Sequence, residues 1–207
     1  GDSRGLSVFV VEKGTPGFTV GVREKHAGFR SIGITELFFE DCCIPSENLI
    51  GKEGEGLKAV LKAISEIGRM GNAGVALGIA EAAYETALEF ALERQLYRKP
   101  LFEIQAIRFM LADMNVEIEA AKWLTYYAAW LLDERKQSRE ISKEIASAKL
   151  YTAEVARRTA LKAVQIQGAS GTLPEFKAIR YLLDSLETIA AGGTNEIMRV
   201  IIGRNLK

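Results

Sequence analysis

Only two cysteines and a single histidine occur in the 207-residue sequence. Cys42 and Cys43 are adjacent, which is unfavourable for a structural disulfide between them and leaves no spacing typical of a metal site. We therefore expect reduced thiols, no bound metal and a cytoplasmic location. His26 falls in a turn of the β-rich region, and we interpret it as a structural or solvated residue rather than a catalytic one.

Neither an excess of charge nor a long apolar run is present. Lysine plus arginine and aspartate plus glutamate both number 27, so no net charge would recruit nucleic acid or an anionic membrane. No apolar run reaches the roughly 18 residues that a membrane span needs, and residues 1–5 do not resemble a signal peptide. These absences predict a soluble, intracellular protein with no nucleic-acid partner.

Three short runs rich in β-branched and aromatic residues precede residue 50, and glycine and proline residues separate them. We predict three strands of one antiparallel sheet, at residues 6–12, 18–22 and 35–40. Such a sheet is thin and needs a covering partner or further strands. Because the chain opens almost directly into the first strand, we expect a longer protein that has been entered in its middle.

Beyond Leu57 the apolar residues recur every three or four positions, which is the period of an amphipathic helix. The predicted helices cover residues 57–88, about 103–135, about 142–167, 175–186 and 194–206. Long helices with short connections form a bundle. We therefore predict a mainly α fold, in which a short antiparallel β-sheet remnant is followed by a four-helix-bundle domain.

Two features of these helices concern packing. The first predicted helix contains glycines whose spacing suits close approach of another helix or a ligand, at Gly68, Gly71, Gly74 and Gly78. Trp123 and Trp130 lie seven residues apart on one face of the second predicted helix, and we interpret them as core or subunit-interface residues rather than as a binding box.

The last predicted turn has the features of an anion or carbonyl site. Gly192 and Gly193 give the backbone conformational freedom, Thr194 can cap the following helix, and Glu196 places an acid in its first turn. A helix start presents free N–H groups, which could hold an anion or a carbonyl oxygen. The alternative is an ordinary Gly-Gly-Thr loop.

Several segments, taken in order and with their spacing, resemble the acyl-CoA dehydrogenase family. They are residues 37–41, 44–51, 54–56, 68–69, 76–80, 94–95, 105–106, 111–114, 148–150, 163–166 and 193–197. The resemblance implies that residues 1–50 are the back part of the family's middle β-domain with its connector, and that residues 51–207 are its C-terminal helical domain. The family's N-terminal helical domain, which with the front of the β-domain holds much of the flavin and acyl chain, is absent.

The resemblance also implies a reaction and its partners. In this family FAD takes a hydride from the β-carbon of an acyl-CoA thioester while a carboxylate removes the α-proton. Hydrogen bonds to the thioester carbonyl make that proton acidic. Electrons usually pass to an electron-transferring flavoprotein. From the resemblance to this family we expect a homo-oligomer, a dimer or tetramer, that acts in fatty acid metabolism.

Site residues follow from the matching positions. The segment that holds FAD of a neighbouring subunit is matched by Arg94, Gln95, Leu96, Ile104 and Gln105, and a second FAD loop by Gln165, Gly168 and Ala169. Flavin contacts at the last helix are matched by Thr194, Asn195 and Glu196. Glu66 and Arg69 match the acid and arginine that flank the substrate, and Gly193 the glycine near the thioester. Without the resemblance, Arg94 would be a solvated helix end, and Glu66 with Arg69 a helix-surface pair.

Two departures from the family pattern affect the chemistry. Most members carry the catalytic glutamate where this chain has Gly192, and a minority carry it where this chain has Gly68. The second FAD loop, usually Gly-Gly followed by an aromatic, reads Gly168-Ala169-Ser170-Gly171. Three explanations remain: a base in the missing N-terminal part, as in some members acting on cyclic acids; a reaction that needs no such base; or a paralogue that binds a partner or acyl-CoA without oxidising it.

Overall fold

The structure is a computed structural model that describes residues 5–135 and 140–206. Two compact units divide the chain, Gly1–Ile64 and Ser65–Lys207. The predicted domain boundary at residue 50 lies earlier, where the β-type residues end, and stays a prediction.

Short antiparallel strand pairs form the first unit. Strand β1 (Val8–Phe9) pairs with β4 (Leu49–Ile50), and β2 (Phe18–Arg23) pairs with β3 (Thr35–Phe39). The predicted single three-stranded sheet is therefore wrong. The reason is the connector: Asn48 accepts a hydrogen bond from Val10 N at 2.9 Å and donates from Nδ2 to Val10 O at 2.9 Å. These bonds draw the connector, rather than β2, alongside β1.

The β2–β3 pair leaves large apolar side chains on its surface. Val22 is 87% exposed, and Leu37, Phe38 and Phe39 are also exposed. Such exposure is what a thin sheet produces when no further layer covers it. The unit closes with helix α1 (Gly56–Ala63).

A helical bundle forms the second unit, as predicted. Its helices are α2 (Met70–Glu93), α3 (Gln105–Arg135), α4 (Ser142–Gln167), α5 (Lys177–Ala190) and α6 (Asn195–Arg204). Helix α4 packs against each of the other four. The bounds of α3 and α4 agree with the periodicity of the sequence, whereas α5 extends to Ala190 rather than ending near Leu186.

Small residues line the contacts between these helices. Alanines on α2 and α4 are completely buried, among them Ala73, Ala80, Ala87, Ala153 and Ala160. Close-packed alanine faces bring helix backbones together and leave little room for larger side chains. The bundle therefore holds its helix ends at fixed positions.

Two expectations about packing differ from the structure. A Cβ at Gly68, Gly71, Gly74 or Gly78 would meet no atom within 4 Å, although the backbone of Gly68 itself lies close to Gly192, whose own Cβ would be 3.1 Å from Gly68 O. Trp123 is 69% exposed and Trp130 is 55% exposed, so neither is a core residue of this chain. Trp123 and Trp130 therefore lie on the surface of the described helical unit, and their interpretation as interface residues stays a prediction.

Among the described residues, no helix combines the length and the apolar character that crossing a membrane requires. The two adjacent cysteines are both free thiols.

Candidate functional site

A π-helical turn, Ile64–Arg69, lies between α1 and α2 and carries Glu66, Gly68 and Arg69. Such turns insert one extra residue into a helix, and they occur frequently at functional sites. Sequence reasoning missed this turn, because the apolar stripe of the predicted helix continues through it. Glu66 is half-buried in the turn, and its side chain makes no hydrogen bond or ion pair to the described residues.

Arg69 joins this turn to the distant segment between α5 and α6. Its Nη1 donates to Ser65 Oγ at 3.0 Å, and its Nε donates to the carbonyl oxygen of Gly192 at 3.3 Å. Burial lowers the pKa of the Arg69 guanidinium from its ordinary value. The arginine that the resemblance places beside the substrate thus contacts the glycine where most family members carry the base.

Gly68 and Gly192, the two glycines at which the resemblance places the family's base, lie against each other. Gly192 has φ +67° and Gly193 has φ +102°, conformations that favour glycine. A Cβ at residue 192 would lie 3.1 Å from Gly68 O and 3.5 Å from Arg69 Cα. The N–H groups of Gly192 and Gly193 donate no hydrogen bond within the described part of the chain. This turn can therefore offer backbone donors to an acceptor, although it offers no carboxylate.

Helix α6 begins with a capped first turn, as its sequence predicts. Thr194 Oγ1 accepts from Ile197 N at 3.3 Å. Glu196, which is exposed, bonds to Arg199 at 3.1 Å. Its own backbone N–H and then the Thr194 hydroxyl lower the pKa of the Glu196 carboxyl. The carboxylate at this helix start stays ionised at neutral pH.

A buried polar chain, which sequence reasoning missed, reaches Asn195 from α4. Lys149 Nζ donates to Asn195 Oδ1 at 2.9 Å and to Ile189 O at 2.8 Å. Asn195 Nδ2 in turn donates to Glu154 Oε1 at 3.0 Å. Burial acts to raise the pKa of Glu154, but hydrogen bonds from Arg157 and Asn195 outweigh it and lower that pKa. Ala148-Lys149-Leu150 belongs to the resemblance, but its pattern alone does not indicate this contact.

The first predicted FAD segment is an exposed hairpin after α2. Strand β5 (Gln95–Leu96) pairs with β6 (Lys99–Pro100), and Leu101 N donates to Arg94 O at 2.7 Å. The side chains of Arg94 and Gln95 are exposed and have no partner among the described residues. A 3₁₀ turn, Leu101–Glu103, then leads to half-buried Ile104 and to exposed Gln105 at the start of α3.

The second predicted FAD loop follows α4. Gln165, Gly168 and Ala169 are exposed, and Gly168 has φ +59° with open space where a Cβ would lie. Gln167 is 5% exposed, and its Oε1 accepts no hydrogen bond from the described residues. A buried amide oxygen without a donor is costly, so a donor supplied from outside these residues would stabilise the loop.

These residues form two groups at opposite ends of the bundle. Helix α2, with 24 residues, is about 36 Å long, and Arg69 precedes its start whereas Arg94 follows its end. Ile166, before the second loop, shares a core cluster with Ala91 and Leu101 at the Arg94 end. The structure thus brings Arg69, Gly192 and Gly193 together at one end and the two predicted FAD segments together at the other.

The polar groups at each end of the bundle suit a different part of a flavin dinucleotide. A guanidinium such as that of Arg94 binds a pyrophosphate, side-chain amides such as Gln95 and Gln105 bind polar ring or ribose atoms, and a capped helix start accepts a polar ligand edge. The orphaned Oε1 of Gln167 and the open space at Gly168 are further features that such a ligand could use.

A family model and several known proteins match most of this chain. Residues 54–207 match the family model of the acyl-CoA dehydrogenase C-terminal domain. An acyl-CoA dehydrogenase of Bacillus subtilis is 42% identical over 202 residues, which are 98% of this chain and 52% of that relative. The chain therefore spans about half the length of the curated relatives it matches.

Two solved structures are similar along nearly the whole chain. The butyryl-CoA dehydrogenase of Megasphaera elsdenii has a TM-score of 0.94 at 39% identity, over 99% of this chain and 52% of that one. A chain in the structure of the electron transferring flavoprotein of Acidaminococcus fermentans has a TM-score of 0.92 at 41% identity, over 97% of this chain and 52% of that one.

Proposed function

The chain belongs to the acyl-CoA dehydrogenase family, and from this we propose that it forms the C-terminal part of an FAD-dependent enzyme acting on an acyl-CoA thioester. The reaction is α,β-dehydrogenation, and the electrons pass to an electron-transferring flavoprotein. The observation that carries the proposal is the contact between Arg69 and Gly192, which assembles the substrate arginine with the thioester turn. Similarity to the butyryl-CoA dehydrogenase and to the chain in the electron transferring flavoprotein structure supports it.

At this turn the chain would polarise the thioester. The N–H groups of Gly192 and Gly193 are available to the thioester oxygen, and the charge of Arg69 lies against the same turn. Backbone donors aimed at a developing negative charge stabilise it and acidify the α-proton. Bound FAD would supply the acceptor for the hydride that leaves the β-carbon.

The base must come from outside the two glycine positions. A carboxylate at residue 192 would require a shift, since its Cβ would already lie 3.1 Å from Gly68 O. Of the explanations that the resemblance leaves open, we propose a base in the family's N-terminal part, outside the residues of this chain. The alternative, favoured by the same two glycines, is an acyl-CoA-binding flavoprotein with different chemistry or a non-catalytic subunit.

Gly192→Glu tests these alternatives, with Gly192→Ala as the control for backbone strain. If the base is simply lost, Gly192→Glu gains acyl-CoA oxidation that Gly192→Ala does not. If another residue already acts as the base, as we propose, Gly192→Glu lowers turnover by blocking the site. Unchanged turnover and unchanged acyl-CoA affinity in both variants would show that this turn is not at the site.

We further propose that each flavin is shared between two subunits. Two of the predicted FAD segments, at Arg94 and at Gly168, lie at the far end of α2, about 36 Å from Arg69 and too far to serve the same reacting thioester within one subunit. A neighbouring copy would supply Arg94 and Gln105 to the flavin beside the first copy's turn. Sedimentation velocity followed at a flavin wavelength tests this, because stoichiometric flavin on a monomer would contradict it.

An apolar stripe along α3 fits the homo-oligomer that this sharing requires. Phe109, Val116, Trp123 and Trp130 recur every seven residues, and all four are more than half exposed. Exposed aromatic residues in a contiguous row are typical of an interface. A dimer or tetramer is the proposed assembly. A cytoplasmic location, suggested by the two free thiols, stays a proposal.

A further inference from the structure

Lys149 is a completely buried lysine to which neither the resemblance nor the proposed reaction gives a role. Buried lysines are rare, because removing an ammonium from water is costly unless the group is paired or hydrogen-bonded. Its Nζ has two acceptors, the carbonyl oxygen of Ile189 and Oδ1 of Asn195. Neither acceptor carries a net charge, so no direct carboxylate contact explains the burial.

The two acceptors lie on either side of the functional turn. Ile189 is in the last turn of α5, and Asn195 is the first residue of α6. Between them the backbone passes through Gly192 and Gly193, both with positive φ. A glycine pair of this kind has many accessible conformations, so something outside the pair must select one. The single ammonium group of Lys149 holds both ends of the segment.

Further hydrogen bonds fix the side chain of Asn195 and the end of α5 in place. Asn195 is 1% exposed and is also bound to Glu154, so its side chain cannot rotate without breaking two hydrogen bonds. On the opposite side, Asn72 Nδ2 donates to Thr188 O at 2.8 Å and ties the end of α5 to α2.

We propose that Lys149 is the positioning residue of the turn between α5 and α6, fixing the Gly192 and Gly193 backbone in the conformation that meets the thioester. The role in catalysis rests on the proposed function, whereas the positioning of the turn does not. Lys149 touches no reacting atom; it acts through Ile189 and Asn195.

The electrostatic surroundings couple Lys149 to the same site. Burial lowers the pKa of Lys149 to about 8, and the charge of Arg69 lowers it further, whereas Glu196 and Glu154 act in the opposite direction. These charged groups come from α6, the π-helical turn and α4. The charge of Lys149 is thus sensitive to the residues on both sides of the turn.

Hydrogen exchange on the flavin-free protein tests the proposal without any dependence on the reaction. Lys149→Met removes the ammonium and keeps a long apolar side chain. The matched control is Lys162→Met on the same helix, whose Nζ bonds to Glu117 at 3.4 Å and not to the turn. We expect amides of residues 190–198 to exchange at least about tenfold faster in Lys149→Met. Lys162→Met should leave them unchanged.

A pH titration of the unaltered protein provides the second readout, which remains usable if Lys149→Met does not fold. The ¹³Cε resonance of Lys149 should titrate with a midpoint of about 8, and the Gly192 and Gly193 amide resonances should move with the same midpoint. A lysine with a merely structural role would titrate without moving the turn.

The proposal would be overturned by unchanged exchange at residues 190–198 in Lys149→Met, or by glycine resonances that stay constant while Lys149 titrates. Exchange that is accelerated equally throughout the bundle would also overturn it, because the lysine would then stabilise the fold and not the turn. None of these measurements uses flavin or thioester. A failed dehydrogenation assay beside a positive exchange result would therefore refute the proposed function alone.

Discussion

Arg69 and Gly192 are joined by a hydrogen bond of 3.3 Å from Nε to the carbonyl oxygen, although 123 residues separate them in the sequence. The bond places the π-helical turn against the turn between α5 and α6. The two glycines at which the resemblance places the family's base, Gly68 and Gly192, therefore lie close together. In the proposed site neither glycine supplies a carboxylate, whereas the N–H groups of Gly192 and Gly193 donate no hydrogen bond to the described residues.

Arg69→Met should weaken this junction. The guanidinium donates to Gly192 and to Ser65, and a hydrogen bond from a charged donor contributes about 1.5–3 kcal/mol, less where the group is partly solvated. We expect the free energy of unfolding to fall by about 1 kcal/mol in urea titrations. Arg204→Met, at an exposed residue near the end of α6, is the control. Equal stability of the two variants would show that the contact contributes nothing.

Alanine at the two empty base positions should have opposite effects. Gly192→Ala forces a side chain into φ +67° and against Gly68 O, at a cost of about 1–3 kcal/mol. Gly68→Ala meets no atom within 4 Å in a helical turn, so we expect no change or a gain of up to about 1 kcal/mol. Thermal unfolding of both variants measures the difference. A Gly192→Ala protein as stable as Gly68→Ala would contradict the backbone geometry described for the turn.

Lys149 should make stability depend on alkaline pH. Its pKa is about 8 in the folded chain against 10.5 for an ordinary lysine, so between these values the unfolded chain binds more protons. The free energy of unfolding therefore gains a contribution that rises with pH from about 8 to 10.5 and is constant below that window.

The matching measurement compares the unaltered protein with Lys149→Met. From about pH 7 to about pH 9.5, the stability of the unaltered protein should rise relative to the variant by about 2 kcal/mol, since one pKa unit corresponds to about 1.4 kcal/mol. Urea unfolding at both pH values gives the numbers. A constant difference, or one that shrinks, would mean that Lys149 is not buried as an ammonium of lowered pKa.

The exposed stripe on α3 should control self-association. Arginine at both Trp123 and Trp130 places two like charges in the proposed interface, and we expect the assembly to dissociate at concentrations where the unaltered protein is a dimer or tetramer. Leu206→Arg, at another exposed apolar residue, should leave the assembly intact. Sedimentation velocity distinguishes the species. An assembly that survives the double substitution would assign the interface to another surface.

The helices and the cap were predictable because their signals are local. The period of apolar residues gives the bounds of α3 and α4, and Thr194 before an acidic first turn identifies the start of α6. The pairing of β1 with Leu49–Ile50 was not predictable, because a two-residue strand has no period and its pairing depends on the hydrogen bonds of Asn48.

The candidate site was predictable only in part, because its contacts join residues that are far apart in the sequence. The resemblance identified Arg69 and Gly192 separately, but their contact depends on how α2 and α5 pack. The π-helical turn leaves the apolar pattern of the sequence nearly unchanged. A lysine inside a helix is expected at the surface, and only the structure shows that Lys149 is buried next to the turn between α5 and α6. The exposed tryptophans show the converse, because an apolar pattern at helical spacing does not by itself mean burial within this chain.

The visible absorption spectrum of the purified protein, supplied with FAD and then titrated anaerobically with acyl-CoA thioesters, tests the central claim most directly. We expect a bound flavin band that bleaches with at least one thioester, which requires a base other than residues 68 and 192. A bound flavin band that persists with every thioester would contradict dehydrogenation and favour a family member with altered chemistry.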